Sequence, residues 1–168
     1  MGKYILSEYF TLIPKEVYSK ELAQRALSGQ FSLTAPFSVG SFHMEKENAV
    51  VAYVQDGNPE DESLPFVLKL LEEATQVVAY NKVAFHYSHE KKLAHVVIYT
   101  GDELKLANSF KADSFESALY FLFLSIKGLQ MNPRQCEVMA CWQTSREQED
   151  VFTRFFSGFK TNDLNTLL

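Results

Sequence analysis

The sequence predicts a single mixed α/β domain, and three observations lead to this fold class. The chain has 168 residues, of which 46% are hydrophobic and 22% charged, which is typical of one globular unit with a sizeable core. Runs of aromatic and β-branched residues alternate with segments whose apolar residues recur at helical spacing. Fourteen Phe and eight Tyr accompany one Trp, so the core should be built largely from Phe.

The first half of the chain contains patterns for three strands and one helix. Runs rich in β-forming residues predict the strands at residues 4–13, 37–44 and 49–54. Between the first two, Ser19 is a suitable N-cap and Gly29 stands where helices commonly end. We therefore expect a short helix over residues 21–27 that stops at Gly29.

A polar segment at residues 55–63 contains Gly, Pro and four acidic residues, which indicates a loop between two substructures. After it, apolar residues recur at helical spacing and predict an amphipathic helix whose Glu72 and Glu73 should lie on the solvated side. The chain is accordingly divided into residues 1–76 and 77–168, packed together as one globular unit.

The second half begins with three β-rich runs in succession, which predict an antiparallel meander at residues 83–88, 93–100 and 104–110. Asp113 or Ser114 is a suitable N-cap for the helix that follows. Apolar residues lie on most sides of that helix, so it should be almost entirely buried.

The chain continues with one more strand and one more helix. The strand is expected at residues 136–142. The helix should start near Ser145, end at Gly158 and bury four apolar side chains, Val151, Phe152, Phe155 and Phe156. The order strand, strand, strand, helix, strand, helix is the core order of ribonuclease H-like and actin-like ATPase domains. We therefore predict an α/β fold with a mixed sheet (α+β) of this type, which by itself implies no activity.

Charge and composition exclude several classes of function. The net charge of −5 and the pI near 5.4 argue against nucleic-acid binding, because phosphate neutralisation needs a basic surface. No apolar run approaches the about 20 residues that span a bilayer, and no secretory signal pattern occurs, so we expect no membrane association. Two cysteines make no disulfide framework, and a cytoplasmic location is expected.

The histidines and cysteines do not predict a metal site. His86 and His89 differ in strand parity, which points them to opposite faces of a sheet, and His95 would need a particular register to join them. Cys136 and Cys141 also differ in parity, and no second ligand pair lies near them in the sequence. We interpret them as buried apolar thiols.

Phosphate-binding and two-metal motifs are missing from the sequence. Seven glycines are present, no two of them in one short loop, so neither a Walker A loop nor a dinucleotide-binding fingerprint exists. An actin-like ATPase would carry an acidic, Gly-rich turn between its first two strands, whereas residues 89–92 read His-Glu-Lys-Lys. The run at residues 83–88 contains no carboxylate, which disfavours a nuclease.

One polar surface remains as a candidate for binding a cofactor. Polar side chains and free amides at a helix N-terminus should converge where the third meander strand meets the next helix. The residues concerned are Asn108, Ser109, Lys111, Asp113 and Ser114. The alternative interpretation is that Asp113 and Ser114 simply cap the helix.

Three segments of the chain resemble a bacterial family, the domain-of-unknown-function family numbered 3822. The first is the run Tyr-Phe-Thr-Leu-Ile-Pro at residues 9–14. The others are Leu-Lys-Leu-Ala-Asn-Ser-Phe at 104–110 and the helix carrying Tyr-Phe-Leu at 120–122. The resemblance extends roughly over residues 4–142. It implies an actin-like ATPase fold, related to ribonuclease H, with no established activity.

The chain departs from the family at its start. Members begin with a further β-hairpin before the equivalent of Tyr4, where an actin-like protein carries its first phosphate loop. We expect the half at residues 1–76 to be incomplete, with an open sheet edge near residues 37–54 that is covered by a partner protein or a second copy.

The first functional hypothesis is therefore a non-catalytic actin-like module for protein interaction or scaffolding, with no cofactor. The alternative is a protein that binds ATP and Mg²⁺ in a degenerate actin-like cleft, and whether the chain is an enzyme stays open.

Overall fold

A computed structural model of the chain describes residues 4–34, 36–55 and 63–168. Its internal contacts divide the chain into two compact units, with the division between Pro65 and Phe66. Most of the polar loop predicted at residues 55–63 lies outside the described residues. Within the described residues, no helix has both the length and the apolar character needed to cross a membrane.

The first unit is built around a small antiparallel sheet. Its elements are β1 (Tyr4–Ile5), β2 (Phe10–Pro14), α1 (Lys20–Phe31), β3 (Ser38–Met44), β4 (Ala49–Gln55) and β5 (Leu64–Pro65), with a 3-10 turn at Lys15–Val17. Three strands form the sheet in the order β2-β4-β3, so β3 lies at one edge, and β1 pairs in parallel with β5. Side chains of α1 pack on one face of this sheet, where Ala23 and Leu27 contact Ile13 and Ala52.

Two boundaries in the first unit differ from the prediction. The single strand expected at residues 4–13 is interrupted, because the Ser7 hydroxyl accepts a hydrogen bond from the Tyr9 amide (3.1 Å) and draws the backbone into a turn. Helix α1 passes through Gly29 and ends at Phe31, and its C-cap Ser32 adopts a left-handed conformation with φ 53°. Its predicted N-cap is confirmed, since Ser19 Oγ accepts from the Leu22 amide at 3.0 Å.

The second unit contains a five-stranded mixed sheet. Its elements are α2 (Val67–Gln76), β6 (Asn81–Ser88), β7 (Leu93–Thr100), β8 (Glu103–Lys111), α3 (Phe115–Gly128), β9 (Cys136–Ala140), α4 (Arg146–Phe155) and β10 (Gly158–Thr161), with 3-10 turns at Pro133–Gln135 and Asn165–Leu167. The strand order is β10-β9-β6-β7-β8. Strands β6, β7 and β8 form the predicted antiparallel meander, while β9 runs parallel to β6 and β10 parallel to β9.

Strand β10 is absent from the sequence-based prediction, which ended the chain's regular structure with the last helix at Gly158. It has only four residues, and its one large apolar side chain, Phe159, stacks on Phe152 at 5.1 Å between ring centroids. A strand this short gives too little alternation to be recognised in a sequence.

The sheet of the second unit is covered differently on its two faces. Helices α3 and α4 cover one face, where Phe85, Leu122 and Phe152 belong to one large apolar cluster. Helix α2 packs against β6 and β7, and because side chains alternate along a strand, the ring of His86 faces Phe66 on the opposite side, 4.7 Å away.

Helices α3 and α4 are less buried than predicted. Tyr120 of α3 is 61% exposed and Leu124 is 47% exposed, and Phe155 of α4, expected in the core, is 42% exposed. One sheet face can cover only one side of each helix, so the apolar residues on the outer side stay in solvent. The ring of Phe123 bridges the two helices by contacting Phe155 at 5.6 Å. These residues form what we call the α3–α4 apolar face.

Candidate functional site

The polar residues predicted to converge near the start of α3 do not form one site. Asn108 and Ser109 lie inside β8 and point to opposite faces of the sheet, paired with Val96 and His95 respectively. The Asn108 side chain accepts a hydrogen bond from the amide of Ser109 at 2.9 Å. Asp113 and Ser114 instead lie beyond the end of β8, which finishes at Lys111.

The two residues at the helix start have structural contacts. Ser114 is the N-cap of α3, and its hydroxyl accepts from the Ser117 amide at 3.1 Å. Asp113 is exposed and lies 3.9 Å from Lys92, a separation at which a surface ion pair contributes little. The capping interpretation is therefore confirmed for Ser114.

The turn between β6 and β7 stands where an actin-like domain would carry a phosphate loop. Its residues 89–92 contain no glycine, and the Lys91 amide donates to Ser88 Oγ (3.2 Å) while the Lys92 amide donates to the carbonyl of His89 (3.3 Å). A phosphate cradle needs free amides aimed at the anion. Two of the turn's amides are already engaged internally, so this turn lacks that arrangement.

The histidine register is the main feature that sequence reasoning missed. His86 of β6 pairs directly with His95 of β7, so both rings lie on one face of the sheet with centroids 6.4 Å apart. Both are fully buried, and the ring of Phe66 contacts them at 4.7 and 6.2 Å. His89 lies in the exposed turn and does not join them.

The histidine pair does not constitute a metal centre. Among residues 4–34, 36–55 and 63–168, no group of three or more His, Cys, Asp or Glu side chains is arranged to hold a metal ion. His86 Nε2 lies 3.0 Å from Asn165 Oδ1, which makes Nε2 the protonated nitrogen. The Nδ1 atom of His86 is then a buried acceptor without a hydrogen-bond partner among the described residues.

Burial controls the protonation of His86. Desolvation lowers its pKa below the ordinary 6.5, and this effect outweighs the hydrogen bond that His86 donates to Asn165 and the charge of Asp163, which both favour the protonated form. The folded protein therefore holds a neutral imidazole that the unfolded chain would protonate more readily. The neighbouring His95 ring and Phe66 bring no negative charge to the pair.

A pH dependence of stability follows from His86. Above pH 6.5 both states are neutral at this residue and it has no effect; below pH 6.5 the unfolded state binds more protons, and stability falls by up to about 1.4 kcal/mol per pH unit. Urea unfolding at pH 7.5 and pH 5 measures this loss. We expect His86→Asn to reduce the loss and the exposed control His89→Asn to leave it unchanged; equal losses in all three proteins would contradict this account.

The thiols are not activated nucleophiles. Cys136 and Cys141 are both free and buried, as predicted. Burial raises the pKa of Cys136 to about 11 and that of Cys141 to about 12, where the charge of Glu73 adds to the effect. A thiol must ionise to attack an electrophile, so neither residue is suited to nucleophilic chemistry at neutral pH.

Glu73 is the second side chain whose position the sequence did not reveal. It was expected on the solvated side of its helix, yet it is only 8% exposed. Its carboxylate accepts a hydrogen bond from Asn162 Nδ2 at 2.8 Å and lies 3.3 Å from Lys69 Nζ. These contacts engage both oxygens, so the carboxylate joins α2 to the segment after β10.

The free edge of the first unit is its most distinctive surface. Among the strands that the structure describes, β3 pairs only with β4, and its other side lies at the edge of the three-stranded sheet. Its sequence is Ser-Val-Gly-Ser-Phe-His-Met, and Phe42 near its centre is 44% exposed. A β-carbon added at Gly40 would overlap the ring of Tyr53 on β4, so this glycine lets the ring lie across the edge strand.

Comparisons with known proteins identify the family and the fold. The profile of a family described as "Protein of unknown function (DUF3822)" matches residues 60–156, more than half of the chain. A solved structure from Bacteroides thetaiotaomicron VPI-5482, described as having an actin-like ATPase fold and unknown function, is 18% identical, with a TM-score of 0.78 over 97% of this chain and 70% of that one. No curated protein matches the sequence. The predicted actin-like, ribonuclease H-like α/β fold is thereby confirmed.

Proposed function

Since the chain belongs to the DUF3822 family of proteins of unknown function, we propose that it is a non-catalytic module with an actin-like fold that binds another protein chain. Its working surface is the free edge of β3. A strand from the partner extends the three-stranded sheet there, so main-chain hydrogen bonds supply affinity and alternate side chains supply specificity.

The observation that carries this proposal is the lack of protection at the β3 edge. Proteins commonly guard exposed edges with charged residues, proline or very short strands. Among the edge strands longer than two residues that the structure describes, β3 alone carries neither a charged residue nor proline. The others have such a residue: β2 ends in Pro14, β8 carries Glu103, Lys105 and Lys111, and the four-residue β10 carries Lys160.

The α3–α4 apolar face supports an interaction role independently. Tyr120 and Leu124 are one helical turn apart on α3, and the exposed Phe155 of α4 contacts Phe123 of α3. Clusters of large exposed apolar side chains of this kind commonly mark places where proteins associate. The face belongs to the second unit and is separate from β3 in sequence.

The alternative is a nucleotide-binding protein, and one observation favours it: the similar structure from Bacteroides thetaiotaomicron is described as having an actin-like ATPase fold, although its function is unknown. Against it stand the engaged amides of the β6–β7 turn and the lack of a carboxylate on β6, whose sequence is Asn-Lys-Val-Ala-Phe-His-Tyr-Ser. A fold supports many unrelated activities, so the site chemistry takes precedence over the fold name.

Calorimetric titration with MgATP decides between the two functions. We expect a dissociation constant weaker than about 1 mM, equivalent to less than about 4 kcal/mol of binding free energy. Titration with MgCl₂ alone corrects for heats of ion binding. A micromolar dissociation constant for MgATP would refute the non-catalytic proposal.

A further inference from the structure

The outer edge of β3 can pair with the same edge of a second copy of the chain. The strand runs from Ser38 to Met44 and is centred on Ser41. If two copies pair antiparallel about a twofold axis at Ser41, every one of the seven residues has a partner. Ser38 then lies opposite the partner's Met44, and Val39 opposite the partner's His43.

Side-chain size fits this register. It places Gly40 opposite Phe42 of the other copy, on the same face of the extended sheet, since directly paired residues share a face. Gly40 has no side chain of its own, and the hydroxyl end of the Tyr53 ring lies over it from β4. Because the Tyr53 ring fills the space above Gly40, the exposed Phe42 ring of the other copy would pack beside it, against the end of the ring that carries the hydroxyl, twice per dimer.

Other registers fit less well. Directly opposed residues share a face of the sheet, and side chains alternate between the two faces along a strand. Two copies related by such an axis can therefore pair even-numbered residues only with even-numbered ones and odd-numbered residues only with odd-numbered ones. An axis at Gly40 puts glycine opposite glycine and leaves Phe42 opposite Ser38. An axis at Phe42 puts the two rings opposite each other and leaves Gly40 opposite Met44. Both also leave the strand ends unpaired.

Charge does not oppose the pairing. The strand contains no Lys, Arg, Asp or Glu, so the net charge of −5 on each chain is carried elsewhere and no like charges face each other across the seven pairs. A dimer through one edge strand buries a small interface, and such interfaces are typically weak and concentration-dependent.

We propose that the occupant of the β3 edge is a second copy of this chain, paired antiparallel with Ser41 at the twofold axis and with Phe42 of each copy opposite Gly40 and beside Tyr53 of the other. This rests on the proposed function, because it names the partner that the β3 edge binds. The product is a continuous six-stranded sheet with the order β2-β4-β3-β3-β4-β2.

Sedimentation velocity across a range of protein concentrations tests the proposal with matched charge variants. Ser41 is exposed, so Ser41→Lys and Ser41→Glu should fold normally, which thermal unfolding by circular dichroism verifies. Each variant places two like charges opposite each other at the axis, and we expect dimerisation to weaken at least tenfold. An equimolar mixture of the two should recover dimer, because lysine then faces glutamate. Thr161→Lys, on the edge strand β10, is the control that leaves the dimer intact.

A monomeric wild-type chain at all concentrations would overturn the proposal, as would variants that dimerise like the wild type or a mixture that fails to recover. These results are independent of the MgATP titration. If the chain is monomeric and does not bind MgATP, only the proposal that the partner is a second copy is refuted. If the chain binds MgATP, the proposed non-catalytic function is refuted, whatever the oligomeric state.

Discussion

Replacement of Phe152 by alanine is expected to lower the free energy of unfolding by about 3–5 kcal/mol. Phe152 is fully buried on α4, and its ring contacts Phe85 of β6 at 6.0 Å and stacks on Phe159 of β10 at 5.1 Å. Phe152 thus connects helix α4 to β6 at the centre of the sheet and to β10 at its edge. Truncation of this side chain leaves a cavity that the three elements cannot fill by moving, which lowers stability.

The control for this prediction is on the same helix. Phe155→Ala removes the same atoms from a side chain that is 42% exposed, and we expect it to cost less than about 1.5 kcal/mol. Urea denaturation of both variants measures the difference. Similar losses for the two variants would mean that α4 is rotated relative to the orientation described here.

Replacement of Gly40 by alanine is expected to destabilise the first unit by about 1–3 kcal/mol, because the added methyl group overlaps the buried Tyr53 ring and forces it to move. Gly29→Ala is the matched control with the opposite sign. Gly29 lies inside α1 with nothing within 4 Å of an added β-carbon, so alanine there should stabilise by up to about 1 kcal/mol.

A double-mutant cycle identifies the cause of the Gly40 effect. In a Tyr53→Ala background the overlap is gone, and Gly40→Ala should become neutral or slightly stabilising. Thermal denaturation of the four proteins supplies the cycle. If the cost of Gly40→Ala were the same with and without the Tyr53 ring, the close approach would not be its source.

The second unit was predictable from the sequence because its strands are strongly patterned. Residues 93–100 read Leu-Ala-His-Val-Val-Ile-Tyr-Thr, an apolar run that suits a central strand covered on both faces. The cap at Ser114 and the capping box of Ser145 with Gln148 both stand where sequence rules place them. Capping depends only on residues that are close in sequence, so it can be predicted without knowing the tertiary contacts.

The histidine register was within reach of the sequence. A four-residue turn at 89–92 closed by Ser88 and Leu93 fixes every pair of the hairpin, and it places His86 opposite His95. A comparison of only the strand positions of His86 and His89 does not predict the pairing of His86 with His95. The burial of Glu73 was not predictable in the same way. Its hydrogen-bond partner Asn162 is 89 residues away in the sequence, and no local sequence pattern indicates this contact.

The β3 edge shows why a candidate interaction surface is harder to predict than a fold. Among the described strands, β3 lies at a sheet edge within the range 37–54 where an open edge is expected, and it combines an uncharged sequence, Gly40 under Tyr53 and an exposed Phe42. Each of these depends on which strands lie beside β3, and pairing between strands is a non-local property.

Hydrogen exchange at β3 tests the central claim most directly. Exchange of the Ser38–Met44 amides that face away from β4 should be fast in dilute protein and slow at about a hundredfold higher concentration, because association protects an edge by mass action. The amides of β8, the charged edge of the other unit, provide the internal reference and should not change. Exchange at β3 that is independent of concentration would contradict the claim that this edge takes up a strand from a second copy.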